Sequence, residues 1–168
     1  MFDNNMAIQI KSTTMVGNES RTLGGGYFRI SSVKWPEWYI YVTWSNNVKS
    51  KKDYPGDEGQ FKFIKTQGDY YLISSKHKPN HYLFTTRITG DIKVKEGDPG
   101  PSGHWRIQPR SDGTIILSTE KWNDYYMYVQ ESPNGDVQGT NKKPESLDGR
   151  AYFILSCDIQ LKLGYDCR

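Results

Sequence analysis

An all-β fold built from three similar units is predicted, because one pattern of strands and loops recurs along the chain. Each unit opens with an apolar strand, a short loop and a second apolar strand, and the pattern returns roughly every 44 residues. The opening strand pairs are 27–32 with 39–43, 70–75 with 82–86, and 115–119 with 126–130. Self-similarity at such a period indicates a repeat architecture.

Each unit then continues with two further strands. A turn rich in Asn, Asp and Gly follows the second strand, and these residues tolerate the positive φ that tight hairpins require. The turns are 45–47, 89–91 and 133–136, and third strands begin at Val48, Ile92 and Val137. A loop containing Pro leads to a closing strand at 61–63, 105–107 and 152–154. Each unit therefore has four strands.

Three units of four short strands, without helical periodicity, favour a closed barrel over other all-β folds. We predict a β-trefoil with pseudo-threefold symmetry, in which a six-stranded barrel is capped by three hairpins and has no open sheet edge. The alternative is a β-sandwich with accidental internal similarity. The predicted units are 27–66, 67–110 and 111–156. Their equivalent core positions are Phe61, Trp105 and Tyr152, followed by Phe63, Ile107 and Ile154.

The length of 168 residues suits one domain. We expect an N-terminal extension at 1–26, the trefoil domain at 27–156 and a C-terminal tail at 157–168. The two cysteines, Cys157 and Cys167, lie in the tail. They would pair with each other in an oxidising compartment, and otherwise they would remain free thiols.

Charge and hydropathy leave the compartment and the partner open. The net charge of +3 neither requires nor excludes an acidic partner. No apolar run is long enough to span a membrane. Polar residues interrupt 1–16, so this stretch lacks the apolar core of a signal peptide. The sequence therefore predicts a cytoplasmic protein, or a secreted one from which a signal peptide has been removed.

Catalytic signatures are missing from the sequence. There is no P-loop, no dinucleotide fingerprint and no Gly-x-Ser-x-Gly elbow, and the carboxylates are scattered among turns. The three histidines, His77, His81 and His104, are predicted to be solvated loop residues, because no cluster completes a tetrahedral metal site. We therefore expect a protein that is not an enzyme and needs no cofactor or metal.

Aromatic and polar residues in the loops and hairpins favour carbohydrate binding. Sugars need an apolar face for stacking and amide or carboxylate groups for their hydroxyls. Each site is expected to combine the hairpin and the opening loop of one unit. The candidates are Trp44, Asn46 and Asn47 with Trp35 in the first unit, Arg87 and Asp91 in the second, and Asn134 and Asp136 with Trp122 and Asp124 in the third.

Two of these expectations concern the opening loops. Trp35, beside Pro36 at a loop tip, is predicted to be the best exposed of the tryptophans in the loops and the first hairpin. Lys78 replaces the loop tryptophan in the second unit, so the pocket there should be the weakest or different.

Lysines also recur on the third strands. Alternate strand residues face one side, so Lys49 should project with Lys51, and Lys93 with Lys95. Such a stripe could bind an anionic partner, or it could simply protect sheet edges from aggregation.

The three units resemble the β-trefoil superfamily, which includes ricin-B-type lectins and fascin-like actin bundlers. The Gln-x-Trp signature of ricin-type lectins is absent, since the matching segments are 60–63, 104–106 and 151–153, and the usual galactose site cannot be assigned. The opening from Tyr27 to Tyr41 also loosely resembles the trefoil half of insect thirty-kilodalton haemolymph lipoproteins. Trefoils host unrelated functions on one scaffold, so the resemblance leaves two hypotheses open. The first is a non-enzymatic, lectin-like binding module that recognises a glycan or glycoprotein. The alternative is a protein-interaction trefoil: a protease inhibitor, cytokine-like or actin-binding protein.

Overall fold

A computed structural model describes residues 9–11, 20–22, 26–130 and 135–157. Two short strands, β1 (Gln9–Lys11) and β2 (Ser20–Thr22), form a separate antiparallel sheet. The first unit contains β3 (Phe28–Ser32), β4 (Trp38–Val42), β5 (Val48–Lys52) and β6 (Phe61–Lys65). The second contains β7 (Tyr70–Ser75), β8 (His81–Thr85), β9 (Ile92–Glu96) and β10 (Trp105–Pro109). The third contains β11 (Ile115–Thr119), β12 (Tyr126–Val129), β13 (Val137–Thr140) and β14 (Phe153–Cys157).

The strand pairings close a barrel. Going round it, β3 pairs with β6, β6 with β7, β7 with β10, β10 with β11, β11 with β14, and β14 with β3 again. The remaining strands form the hairpins β4–β5, β8–β9 and β12–β13. A six-stranded barrel with three hairpins is a β-trefoil, so the predicted fold is confirmed.

The closing strand of the third unit is shifted by one residue from the prediction. Phe61 pairs with Ser75 and Trp105 pairs with Thr119, and the corresponding partner of Ser32 is Phe153. Phe153 is fully buried, whereas Tyr152 is half-buried and stacks its ring 3.6 Å from the Arg110 guanidinium carbon. The equivalence of Tyr152 and Ile154 with the core positions is therefore wrong. The loop before β14 is longer than the other two, so counting from the turn misplaces the strand.

The core lies inside the barrel and under its hairpins. Its largest fully buried side chains are Trp105, Phe61 and Phe153, which lie at equivalent positions of the three units and are each no more than 1% exposed. The Trp105 indole Nε1 donates a 3.0 Å hydrogen bond to the Leu83 carbonyl oxygen. This bond satisfies the polar edge of a ring that is otherwise surrounded by hydrocarbon.

Cys157 ends the last strand and is disulfide-bonded. Its carbonyl oxygen accepts a 2.9 Å hydrogen bond from Arg29 Nη2 on β3. The other cysteine of the chain, Cys167, lies outside the described residues.

His104 joins the second unit to the third. Its Nε2 lies 2.8 Å from Asp98 Oδ1, and its Nδ1 lies 2.8 Å from Glu120 Oε2. The side chain is 19% exposed, so the prediction of a solvated loop histidine is wrong here. Burial alone would lower the pKa of His104, but the hydrogen bonds and charges of the two carboxylates outweigh it and raise this pKa. A backbone hydrogen bond from Gly100, with help from His104, lowers the pKa of Asp98.

His104→Gln should therefore destabilise the protein most at acidic pH. A group whose pKa is raised on folding contributes its full stability below its unfolded pKa, 6.5 for histidine, and loses it as the pH rises through the folded value. We expect the free energy of unfolding to fall by about 1–2 kcal/mol below that pH and by less above it. Urea unfolding across pH measures this. His81→Gln is the control, and a His104→Gln effect that does not change with pH would contradict the ion pairs.

Candidate ligand-binding clefts

The three opening loops adopt one local structure. The backbone N–H groups of Trp35, Lys78 and Trp122 donate to the hydroxyl three residues earlier, at 3.2, 3.2 and 3.3 Å. These three residues are therefore structurally equivalent, although only two of them are aromatic. A short side-chain oxygen at the end of the first strand stabilises a turn of this kind.

Each hairpin turn is hydrogen-bonded to the following unit. The carbonyl oxygens of Asn46, Gly90 and Gly135 accept hydrogen bonds from the third strand of the next unit, at 2.9, 2.6 and 3.0 Å. Asn46 and Gly90 have positive φ of 67° and 75°, which explains the Asn and Gly at these turns. In the first and second units the turn also contacts the opening loop of the next unit, and these two junctions are called the first and second clefts below.

The first cleft lies between the turn 44–46 and the opening loop of the second unit. The Trp44 ring contacts His77 edge to face at 4.8 Å, yet Trp44 remains 80% exposed. Lys78 Nζ donates a 2.7 Å hydrogen bond to the Trp44 carbonyl oxygen and also contacts Asn46 Oδ1. Lys78 thus bridges the loop and the turn where a tryptophan would otherwise stand.

The second cleft lies between the turn 87–90 and the opening loop of the third unit. The Arg87 guanidinium carbon is 5.8 Å from the Trp122 ring centre, and Lys121 Nζ is 4.9 Å from it. Tyr125 packs edge-on against Trp122 at 6.1 Å. The cleft therefore combines an aromatic ring with two cations.

Polar groups complete the second cleft. Thr89 Oγ1 donates a 2.8 Å hydrogen bond to Asp91 Oδ2, and Thr86 Oγ1 lies 2.7 Å from Thr89 Oγ1. Burial, assisted by the nearby Tyr128 and Asp91, raises the pKa of the Tyr125 phenol, although Arg87 opposes this. The phenol is therefore neutral at physiological pH and can both donate and accept a hydrogen bond.

The opening loop of the first unit holds Trp35, which is half-buried and packs against the hydrophobic core. Trp44 is 80% exposed, so the prediction that Trp35 is the best exposed of these tryptophans is wrong. Because the Trp35 ring covers core residues, packing fixes its position. Asn134 lies outside the described residues, so its predicted role is not tested by the structure.

Asn47, Asp91 and Asp136 meet on the pseudo-threefold axis. They line an open depression of about 200 Å³ together with Lys49 and the first apolar residues of the third strands. Around it, Lys49 Nζ lies 3.2 Å from Asp136 Oδ1, and Gln138 Nε2 donates to Asp91 Oδ1 at 3.2 Å. Lys93 is paired through its backbone with Asn47. Polar groups of each unit thus have hydrogen-bond or ion-pair partners in a neighbouring unit, which indicates a structural role.

The four lysines of the predicted stripe have different surroundings. Lys49 pairs with Asp136, and Lys51 Nζ lies 3.6 Å from Glu58 Oε2 and 4.5 Å from the Tyr41 ring centre. Lys93 is half-buried and Lys95 is exposed. Binding of an anionic partner by these four lysines stays a prediction.

The grouping of candidates within single units is wrong. The structure brings Arg87 together with Trp122, from different units, and it brings Trp44 and Asn46 together with Lys78. Asp124 is exposed on the loop of Trp122. Sequence reasoning missed Tyr125, which the repeat aligns with Trp38 and His81 and which could have been recognised from that alignment.

Two further observations concern the described part of the chain. Within it, no three His, Cys, Asp or Glu side chains come together as a metal site would require. The described residues also contain no helix with the length and apolar character needed to cross a membrane.

The architecture and the clefts define a β-trefoil whose potential ligand sites lie between its units, and solved structures share this fold. A designed threefold-symmetric protein, ThreeFoil, matches with a TM-score of 0.67 at 15% identity, covering 77% of this chain and 97% of that one. SeviL, solved bound to asialo-GM1 saccharide, matches with a TM-score of 0.64 at 13% identity, covering 80% and 99%.

Sequence relatives include toxins of Chironex fleckeri and Carybdea alata. Toxin CfTX-A of Chironex fleckeri is 25% identical over 134 residues, which are 74% of this chain and 27% of the toxin. Toxin CaTX-A of Carybdea alata is 23% identical over 134 residues, with the same coverage of 74% and 27%. The chain thus spans about a quarter of the length of these relatives. No family model matches the chain.

Proposed function

We propose that this chain is a non-enzymatic, lectin-like module that binds carbohydrate, with the second cleft as its principal site. The observation that carries the proposal is the grouping of Trp122, Arg87 and Tyr125 at one surface position. The indole supplies an apolar face for a pyranose ring, while the guanidinium and the phenol supply hydrogen bonds for hydroxyl groups.

The chemistry of the second cleft also favours certain sugars. Arg87 and Lys121 place two positive charges beside the ring. A saccharide that carries a carboxylate or sulfate would form charge-assisted hydrogen bonds with them. We therefore expect acidic glycans to bind more tightly than their neutral counterparts.

The first cleft offers a different surface. Lys78 already uses the Trp44 carbonyl and the Asn46 amide oxygen as its partners. A sugar here would have to displace that lysine or stack only on the exposed Trp44 ring. This agrees with the expectation that the lysine-bearing loop forms a weaker or different pocket.

The comparisons support this function by likeness. SeviL, a trefoil of similar extent, is described as bound to a saccharide. The likeness to about a quarter of toxins CfTX-A and CaTX-A supports a second part of the proposal. The module would attach a larger toxin-like protein to a glycan-bearing surface, while the rest of that protein acts.

Trp122→Ala should abolish most glycan binding without unfolding the protein. A stacked ring that contributes about 1.4 kcal/mol accounts for a tenfold change in affinity, so we expect binding at least about tenfold weaker. A glycan array identifies the saccharide, and calorimetry with that saccharide then measures the affinities of the wild type and the variant.

Trp35→Ala is the matched control, because Trp35 occupies the equivalent loop position but packs against the core. It should lose about 1–2 kcal/mol of stability and keep the glycan affinity of the second cleft. If no glycan on a broad array binds the wild type, the module is a protein-interaction trefoil instead. If both variants lose stability alike and binding alike, the site is misassigned.

A further inference from the structure

Two apolar side chains stand out on the tips of equivalent hairpins. Ile88, in the β8–β9 turn, is 99% exposed, and Trp44, in the β4–β5 turn, is 80% exposed. The other exposed large hydrophobics among the described residues reach only 36–39%. The turns themselves depend on the positive φ of Asn46 and Gly90, not on these side chains.

Both tips lie on the same side of the molecule. Each hairpin is bonded to the next around the pseudo-threefold axis, through Asn46 to Val94 and through Gly90 to Gly139. An isolated backbone bridge also joins Asn47, just before β5, to Lys93 on β9. The β4–β5 and β8–β9 hairpins therefore belong to one cap, and their turns lie at the same level of the fold.

Positive charge accompanies each tip. Lys78 Nζ is 2.7 Å from the Trp44 carbonyl oxygen, and Arg87 precedes Ile88 in the chain. Lys121 Nζ also lies near this hairpin, 4.9 Å from the centre of the Trp122 ring that Arg87 contacts. Apolar tips flanked by cations match the chemistry of a lipid headgroup layer over hydrocarbon, because anionic headgroups attract Lys and Arg while Trp and Ile partition below them.

From this arrangement we propose that the hairpin cap docks on the surface of a phospholipid bilayer that contains anionic lipid. Ile88 and Trp44 enter the boundary between headgroups and acyl chains, and Lys78 and Arg87 contact the anionic headgroups. The proposal does not depend on glycan binding, since it rests on the exposed side chains of Ile88 and Trp44, neither of which is among the sugar-binding groups of the second cleft. If both hold, the clefts face glycans carried close to a membrane.

Vesicle binding tests the proposal on the full chain. Sedimentation with vesicles of phosphatidylcholine and phosphatidylserine should carry the wild type down, and vesicles of phosphatidylcholine alone should carry down less. Ile88→Ser removes the apolar anchor without changing the charge. The loss of most of one buried side chain should lower the partition coefficient about tenfold. Soluble glycerophosphoserine should not displace the protein, because it offers no hydrocarbon.

Ile64→Ser is the matched control. Ile64 is 38% exposed on β6, a barrel strand that pairs with β3 and β7 and not with a hairpin. It should bind vesicles like the wild type. If the wild type sediments with neither kind of vesicle, the proposal is overturned and the tips would instead contact a protein partner. Equal vesicle binding by the wild type and Ile88→Ser would also overturn it.

Discussion

Trp105→Ala is expected to destabilise the protein by about 3–5 kcal/mol, the largest effect of the changes considered. The indole is 1% exposed and is the largest of the fully buried side chains, with Phe61 and Phe153 in the equivalent positions. Its removal leaves a cavity that the closed barrel cannot collapse to fill. It also strips the Leu83 carbonyl of the hydrogen bond from the indole Nε1.

Urea unfolding followed by circular dichroism measures this loss. Trp44→Ala is the control, since that ring is 80% exposed and should change the stability by less than about 0.5 kcal/mol. Equal stabilities for the two variants would contradict the core assignment of Trp105 and the barrel built around it.

Gly139→Ala is expected to destabilise the protein by about 1–3 kcal/mol and to disturb the second cleft at the same time. A Cβ at this position would lie 2.3 Å from Tyr125 Cε1 and 2.7 Å from its Cδ1. Such contacts force the Tyr125 ring to move. Its hydroxyl also approaches Gly90, where an added Cβ would be 3.2 Å away, so the ring has little room on that side.

A double-mutant cycle tests this interpretation. In a Tyr125→Ala background the clash is gone, and Gly139→Ala should then cost little stability. Additive losses from the two changes would show that Gly139 is needed for another reason. Glycan affinity should fall with Gly139→Ala, because Tyr125 supports the face of Trp122.

Much of the fold could be predicted because it repeats. Turn residues and alternating apolar strands recur three times, and three such units can close a barrel. The error at Tyr152 arose where one loop is longer than its two counterparts, so that spacing no longer reports register. The pairing of Phe153 with Ser32 settles that position in space, which no local pattern could do.

The candidate site was harder to predict, because its parts come from different units. Composition singled out Arg87 and Trp122, but only the bonding of each hairpin to the next unit brings them together. The packing of the loop tryptophans was equally hard to predict from the sequence. Trp35 and Trp122 occupy one position of the repeat and have the same loop hydrogen bond, yet Trp35 packs against the core. Likewise, the ion pairs of His104 with Asp98 and Glu120 are seen only in the folded structure.

Glycan binding at the second cleft is tested most directly by titrating the isotopically labelled protein with the saccharide selected on an array. The five tryptophans each carry an indole N–H signal that nuclear magnetic resonance can follow separately. The signal of Trp122 should shift and saturate with the saccharide, while that of Trp105, buried and bonded to Leu83, should stay in place. Saturable binding that leaves the Trp122 signal unmoved would contradict the proposed site, and the absence of any saccharide that binds would contradict the proposed function.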